Sequence, residues 1–400
     1  MTTMTTDSPL CCHVCAAAGI AEVDGFASLA RTTSDCRPWP SGGRLGVCPA
    51  CGTVQAGVDA AWRAEMGEIY GSYAMFHQRG GADHAIRDSQ DNTLRSRSGT
   101  LLQRFIAWAQ PPDQGRLLDI GCGTGPLLQS AAHLCPGWSL AGAEQDDRVR
   151  DRILGIPGVA LFHAGPLSAL DAKFDVVSMV HVLEHVANPA GFLRQAARLL
   201  APGGRLLVQV PSLTENPFDL TIADHCSHFT ADTLTGVVRS AGLKILHVDR
   251  WIPKELSVVA GLPERKAGDP PATPETCSVA EPTVDLATVE RMVVWLHAMG
   301  ETVEQLAAAG PLGLLGTSVA ATWLASQTED RVSFFVDEDP VMQGVRFLGR
   351  PVLAMERVPS SATLFCPMPS AQAHAIRERL VRMKAAFRIE IPPPLSRSVL

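Results

Sequence analysis

No apolar run in this 400-residue chain reaches the length of a membrane-spanning helix, so no membrane partner is expected. The opening residues, MTTMTTDSPL, carry neither the basic nor the apolar region of a signal peptide. A cytoplasmic, reducing setting is therefore expected, with the 11 cysteines as thiols or metal ligands rather than disulfides. Basic residues are scarce: 34 Lys and Arg stand against 41 Asp and Glu, a formal net charge of −7, which argues against a nucleic-acid partner. Tyrosine is nearly missing, with only Tyr70 and Tyr73, both in the helical-looking stretch 60–110. Aromatics at that spacing usually pack, but these two lie just upstream of the main motif and are placed to line its entrance. What remains is 46% hydrophobic, enough for real cores, and long enough for two or three domains.

The organising stretch is Arg116 to Gly125, RLLDIGCGTG. Leu117, Leu118 and Ile120 make a short apolar strand with Asp119 near its end. Gly121, Gly123 and Gly125 follow in alternation, then the helix-like run PLLQSAAHL. Strand, glycine turn and helix is how open α/β sheets take a nucleotide-like ligand at a strand's carboxyl end. The third glycine comes one residue too early for a dinucleotide fingerprint, and Pro126 stands where it should be. Nineteen residues after Gly125, the apolar strand SLAGAE ends in Glu144, whose carboxylate can take two ribose hydroxyls. This arrangement resembles motif I of class I S-adenosylmethionine (SAM) methyltransferases, D-x-G-x-G-x-G. The resemblance implies SAM as cofactor, its cationic methionine end suited to an acidic strand end. Val180 and Tyr73 are further candidate cofactor contacts.

Cys12-His13-Val14-Cys15 and, after 32 intervening residues, Cys48-Pro49-Ala50-Cys51 form two C-x2-C knuckles. Four thiolates on short loops suit one tetrahedral Zn²⁺, structural because no coordination position stays open. The few apolar residues between the knuckles leave metal binding to supply the folding energy. Cys11, His13 and Cys36 are spare donors. With no basic cluster nearby, the unit reads as a structural cap.

From Arg116 strands and helices alternate: strand 116–120, helix 126–135, strand 139–144, helix 146–154, strand 159–162 and strand 174–180. A mostly helical run, a strand ending VQVP, a helix and the strand KILHVDRW follow. Repeated βα units predict a parallel, doubly wound α/β sheet. The expected domains are a zinc-binding unit at 1–60, a SAM domain at 61–262, a proline-rich linker or exposed loop at 263–283, and a smaller Rossmann-like α/β unit at 284–400. In the last, Gly313, Gly316 and Ser318 form a weaker glycine turn that suits either a phosphate or plain packing.

His181 stands where the strand FDVVSMV ends, and the loop SLTENPFDLTIADHCSHFT carries Asp224, His225 and His228. A histidine titrates near neutrality and can take a proton and return it elsewhere. A lone histidine is more often structural, and His185 and His228 have that reading. The cluster favours His225 and His181 as catalytic, with Asp224 orienting or charge-pairing the neighbouring ring. Asp224, His225 and His228 could hold a metal, but the loop is poor in carboxylates and a catalytic metal is not expected.

The whole chain resembles the three-part sugar C-methyltransferases of deoxysugar biosynthesis. The matching residues are the four knuckle cysteines, DIGCGTG, FDVVSMVHVLEHVANP, LLAPGGRLLVQVP and, more loosely, LGLLGTS with FFVDEDPVMQG. The family's active-site loop reads Tyr-His-Glu-His-Leu-Ser-Tyr-Phe. Here the run is Ile222-Ala223-Asp224-His225-Cys226-Ser227-His228-Phe229, so His225 is kept and Ile222 lacks the hydroxyl, leaving Tyr70 or Tyr73 to supply any tyrosine. The resemblance implies methyl transfer from SAM to carbon of a nucleotide-linked keto-deoxysugar, a small-molecule partner, with His225 as general base. O- or N-methylation of a glycan or natural product is the alternative. A non-catalytic zinc-ribbon scaffold and an NAD oxidoreductase are weaker readings.

Overall fold

The computed structural model describes residues 10–73, 83–87, 93–145, 147–264 and 282–395. Most of the expected linker, residues 265–281, lies outside the described residues. The central sheet has seven strands in the order Val159–Ala164, Ser139–Glu144, Arg116–Ile120, Phe174–Val180, Leu200–Pro211, Glu255–Gly261 and Lys244–Asp249. The first five run parallel. Phe174–Val180 is a nearly unbroken apolar run, as a strand covered on both faces requires.

The parallel direction fails at one strand of the seven. Glu255–Gly261 is antiparallel to both of its neighbours. Only residues 250–254 separate it from Lys244–Asp249, too few for the crossover that a parallel pair needs. The expected helix after Val180 is also split. A single turn at Leu183–His185 precedes a helix that begins at Pro189, capped by Asn188. Proline suits the first helical position because the amide it lacks would have no partner there.

A second sheet joins the knuckle segment to the histidine loop. Its order is Ala21–Glu22, Leu45–Val47, Val54–Ala56 and Ser227–His228, with Ser227 opposite Gln55 and His228 opposite Val54. The knuckle segment is not left to a metal alone. Val23, Phe26, Leu29, Leu45, Val47 and Val54 share one core with Phe218, Met292, Leu296 and Trp323. Trp323 Nε1 donates to the Ala30 carbonyl at 2.7 Å. Each such apolar side chain contributes roughly 1.5–3 kcal/mol on burial. The third sheet, six strands between residues 312 and 390, belongs to the C-terminal α/β unit.

Candidate active site

The glycine turn leaves the strand Arg116–Ile120 and enters the helix Pro126–Leu134. Gly121 has φ 68°, and a Cβ there would lie 2.4 Å from Val182 Cγ2. The position therefore demands glycine for both backbone shape and close packing. Asp119 is buried and accepts from Ser178 Oγ at 2.7 Å. Burial raises its pKa to about 7, with Ser178 opposing and Glu144 adding to the shift. Glu144 ends its strand one position away in the sheet and accepts from the amides of Gly123 at 3.0 Å and Gln145 at 2.8 Å. Asp119, Gly121, Gly123, Gly125 and Glu144 thus converge on one sheet edge, and Val180 ends the adjacent strand.

His181 follows Val180 in the left-handed region, φ 54°. Its amide donates to the Gln209 carbonyl at 2.9 Å. Its ring lies among Arg97, Glu184 at 3.1 Å and Glu255 at 3.3 Å. Arg97 and Glu255 are themselves paired at 2.7 Å. Burial, then the Arg97 guanidinium, push His181 down to about 3 despite Glu255, so the ring is neutral at pH 7.

His225 behaves oppositely. Its Nδ1 pairs with Asp219 Oδ1 at 2.8 Å, while His228 Nδ1 takes Asp219 Oδ2 at 2.6 Å. Burial alone would lower its pKa, but the Asp219 charge and hydrogen bond, with Glu184 and Asp224 beyond, raise it to about 9. Asp219 is held well below the usual carboxylate range; burial opposes this, and the two histidines outweigh it. The two rings therefore sit in environments that drive their pKa values apart, leaving His181 neutral and His225 protonated at pH 7.

The expected partnership of Asp224 with His225 is corrected by this geometry. The turn at 222–225 sends Asp224 to the other side of the loop. There it accepts from Ser34 N at 2.8 Å and Ser34 Oγ at 2.5 Å, and lies 3.4 Å from His185 Nδ1. Tyr73 OH meets the same Ser34 Oγ at 2.8 Å, and Tyr70 OH meets His185 Nδ1 at 3.0 Å. Both tyrosines thus stand on the His185 side, close to the loop that lacks its own tyrosine. Burial, then Asp224, push both phenols up, so they stay protonated.

Two acids were not singled out from the sequence. Asp219 lies on the short turn Pro217–Thr221, six residues before His225, and the Asp-x5-His-x2-His spacing was its only signal. Glu184 is fully buried, and its two carboxylate oxygens accept no hydrogen bond among the described residues. Burial raises its pKa. An acid between two histidines, HVLEH, was the available clue. On the knuckle side, a cavity of about 460 Å³ is lined by Phe26, Arg31, Trp62 and Ile222, with His225 and His228 on its wall.

The four knuckle sulfurs all lie within 4.8 Å of one another. The Cys12–Cys51 and Cys15–Cys48 pairs are each 3.6 Å apart. Tetrahedral Zn–S bonds of about 2.3 Å would set sulfurs roughly 3.8 Å apart, so the donor set fits such an ion. Of the spare donors, His13 Nε2 is instead 2.7 Å from Ser227 Oγ, and Cys36 packs in the shared core. In the C-terminal unit, a Cβ on Gly313 would lie 2.1 Å from the Phe334 ring, which explains that glycine by packing.

Residues 91–248 match the family model described as a methyltransferase domain. The ubiquinone biosynthesis O-methyltransferase of Cereibacter sphaeroides (strain ATCC 17025 / ATH 2.4.3) is 34% identical over 163 residues, covering 33% of this chain and 62% of its own. That of Maricaulis maris (strain MCS10) is 33% identical over 133 residues, covering 31% of this chain and 51% of its own. The chain thus spans about half to three-fifths of the length of these relatives. Among solved structures, the S-adenosylhomocysteine-bound form of CalO1, a methyltransferase in calicheamicin biosynthesis, is similar over 41% of this chain and 54% of its own, with 20% identity and a TM-score of 0.36. The matched stretch contains the glycine turn, His181 and the histidine loop, and leaves out the knuckles and the C-terminal unit. Residues 91–248 thus match a methyltransferase domain, and they lie on an open α/β sheet.

Proposed function

We propose that the protein transfers a methyl group from SAM to a small polar metabolite, and that the acceptor is a carbon beside the keto group of a nucleotide-linked deoxysugar. The observations that carry the reading are the buried Asp219–His225 pair and the sheet edge where Asp119, Glu144 and the glycine turn converge. SAM, when bound, supplies an electrophilic methyl on a sulfonium, already a good leaving group. The chain's share is then orientation and proton removal. Asp119 would answer the cationic methionine end and Glu144 the ribose hydroxyls. His225, held at Nδ1 by Asp219, would take the proton from the acceptor carbon at Nε2 as the new carbon–methyl bond forms. His181, neutral beside Arg97, would support the reacting end, and Tyr70 and Tyr73 would donate hydrogen bonds.

The four cysteines would hold a structural Zn²⁺ and so brace the sheet that carries Ser227 and His228. The chain would divide into a knuckle unit at 1–60, a SAM domain at 61–262 and a C-terminal unit at 284–400. A second reading, O-methylation of a hydroxyl with the same base, is favoured by the relatives named as ubiquinone biosynthesis O-methyltransferases. Deuterium exchange separates the two. With S-adenosylhomocysteine in the site and D₂O as solvent, a keto-sugar acceptor should exchange its acidic C–H through His225. Exchange absent with every keto-sugar that binds would favour the hydroxyl acceptor.

A further inference from the structure

The cavity on the knuckle side has a volume of about 460 Å³, within the roughly 300–1,000 Å³ of small-molecule sites. One side comes from the N-terminal segment: the turn at Phe26, the strands that carry Leu45 and Ala56, and the first turn of the helix Ala60–Gly71. The other side is the histidine loop, with Ile222, Ala223, His225 and His228. The loop pattern that this chain resembles has Tyr, His and Tyr where Ile222, Ala223 and His228 stand. Each replacement is smaller than its counterpart, and all three line the cavity. The space therefore belongs to this chain's own loop.

Trp62 is set beside that loop by its helix. Asp59 caps the helix, its side chain accepting from Trp62 N at 2.9 Å. The indole then packs on the small cluster of Met66, Ile69 and Ala223. Its Nε1 is buried and has no hydrogen-bond partner among the described residues. A buried indole N–H usually finds one, so this donor is left for a ligand oxygen.

The charged groups around the cavity are committed elsewhere. Arg31 donates to both oxygens of Glu65, at 2.5 and 3.1 Å, and to the Pro40 carbonyl at 2.9 Å. Glu65 also accepts from Trp39 Nε1 at 2.8 Å. Arg44 is paired with Glu22. His225 and His228 both turn Nδ1 to Asp219, so Nε2 is the ring nitrogen each has left to offer. An anion entering here would find its cations already paired, and burying an unpaired charge is costly. A ring with an apolar face and one acceptor oxygen meets the indole, Ile222 and the Trp62 donor without that cost.

We propose that this cavity is the acceptor pocket, and that it takes an uncharged ring of the acceptor, with apolar substituents of that ring against Trp62 and Ile222 and the reacting atom presented to His225. This rests on His225 as the base in the reading above. It makes the N-terminal segment part of the acceptor site as well as a cap on the fold.

The test is histidine-selective NMR of the full chain, loaded with S-adenosylhomocysteine and titrated with benzamide and with benzoate. Benzamide is an uncharged ring with a carbonyl acceptor; benzoate has nearly the same shape and a charge. Benzamide should move the His225 and His228 ring signals saturably, and benzoate should bind at least about tenfold more weakly. Trp62→Ala should weaken benzamide about three- to tenfold, as loss of an aromatic partner does. Ala61→Trp adds bulk to the cavity from an exposed position on the same helical turn. It should abolish the shifts with S-adenosylhomocysteine affinity unchanged, and it decides the matter if Trp62→Ala does not fold. No saturable shift with benzamide, or wild-type shifts in folded Ala61→Trp, overturns the pocket. Benzoate binding as tightly as benzamide overturns the uncharged class. Neither probe needs methyl transfer, so these failures are distinct from failure of the methyltransferase reading, which cofactor affinity and the turnover of His225→Asn test.

Discussion

Asp219→Asn probes the charge that sets the histidine loop. Asp219 is 1% exposed, and its two oxygens hold the Nδ1 atoms of His225 and His228. An asparagine keeps the shape but offers one carbonyl oxygen and no charge. Removing one member of a buried ion pair typically costs about 3–5 kcal/mol. At about 2–4 °C per kcal/mol for a unit of 150–250 residues, Tm should fall by roughly 6–20 °C. The sharper readout is the ring itself. His225 titrates at about 9 in the folded protein against an ordinary 6.5, so at pH 7 only about one ring in a hundred is neutral. Without the Asp219 charge, burial should carry it below 6.5. Because the folded value is the higher one, the proton on His225 contributes stability that is fully present below pH 6.5 and lost as pH rises through 9. The wild-type Tm should therefore decline between pH 7 and 10, and the variant's much less. Histidine-selective NMR titration measures the midpoint without any acceptor. A His225 midpoint still near 9 in a folded Asp219→Asn variant would refute the reasoning.

Freshly purified protein should contain about one zinc per chain, and Cys48→Ser with Cys51→Ser should lose it; elemental analysis finding none in the wild type would reject the knuckle assignment. His225→Asn should lower turnover of an identified acceptor roughly 10²–10⁴-fold with cofactor affinity little changed, and wild-type turnover would move the base elsewhere. If His225 is that base, turnover should rise from pH 7 towards about 9, and a profile flat across that range would argue against it. Gly121→Ala should destabilise the chain and weaken S-adenosylhomocysteine binding, because its Cβ would strike Val182 at 2.4 Å in a left-handed backbone; a variant matching wild type in Tm and affinity would show that the turn yields.

Much of the central fold was legible because its signals are local. The strand Arg116–Ile120 and the strand Phe174–Val180 follow from short apolar runs bounded by turn residues. The antiparallel strand Glu255–Gly261 was missed because its pairing is set by the shortness of the preceding turn, not by its own pattern. The histidine loop was recognised as a cluster, but not its wiring. Asp224 is adjacent to His225 in sequence and faces Ser34, while Asp219, six residues away, holds the ring. Side-chain direction within an irregular turn depends on the elements it packs against, here a sheet shared with the knuckle segment.

The central claim is that SAM is held between Asp119 and Glu144 over the glycine turn. Calorimetric titration of S-adenosylhomocysteine into wild type and Glu144→Ala measures it directly. One site per chain is expected. The variant should lose about 1–3 kcal/mol of affinity, the typical effect of leaving buried hydroxyls unpaired. Absence of binding to the wild type, or equal affinity in the variant, would contradict the account.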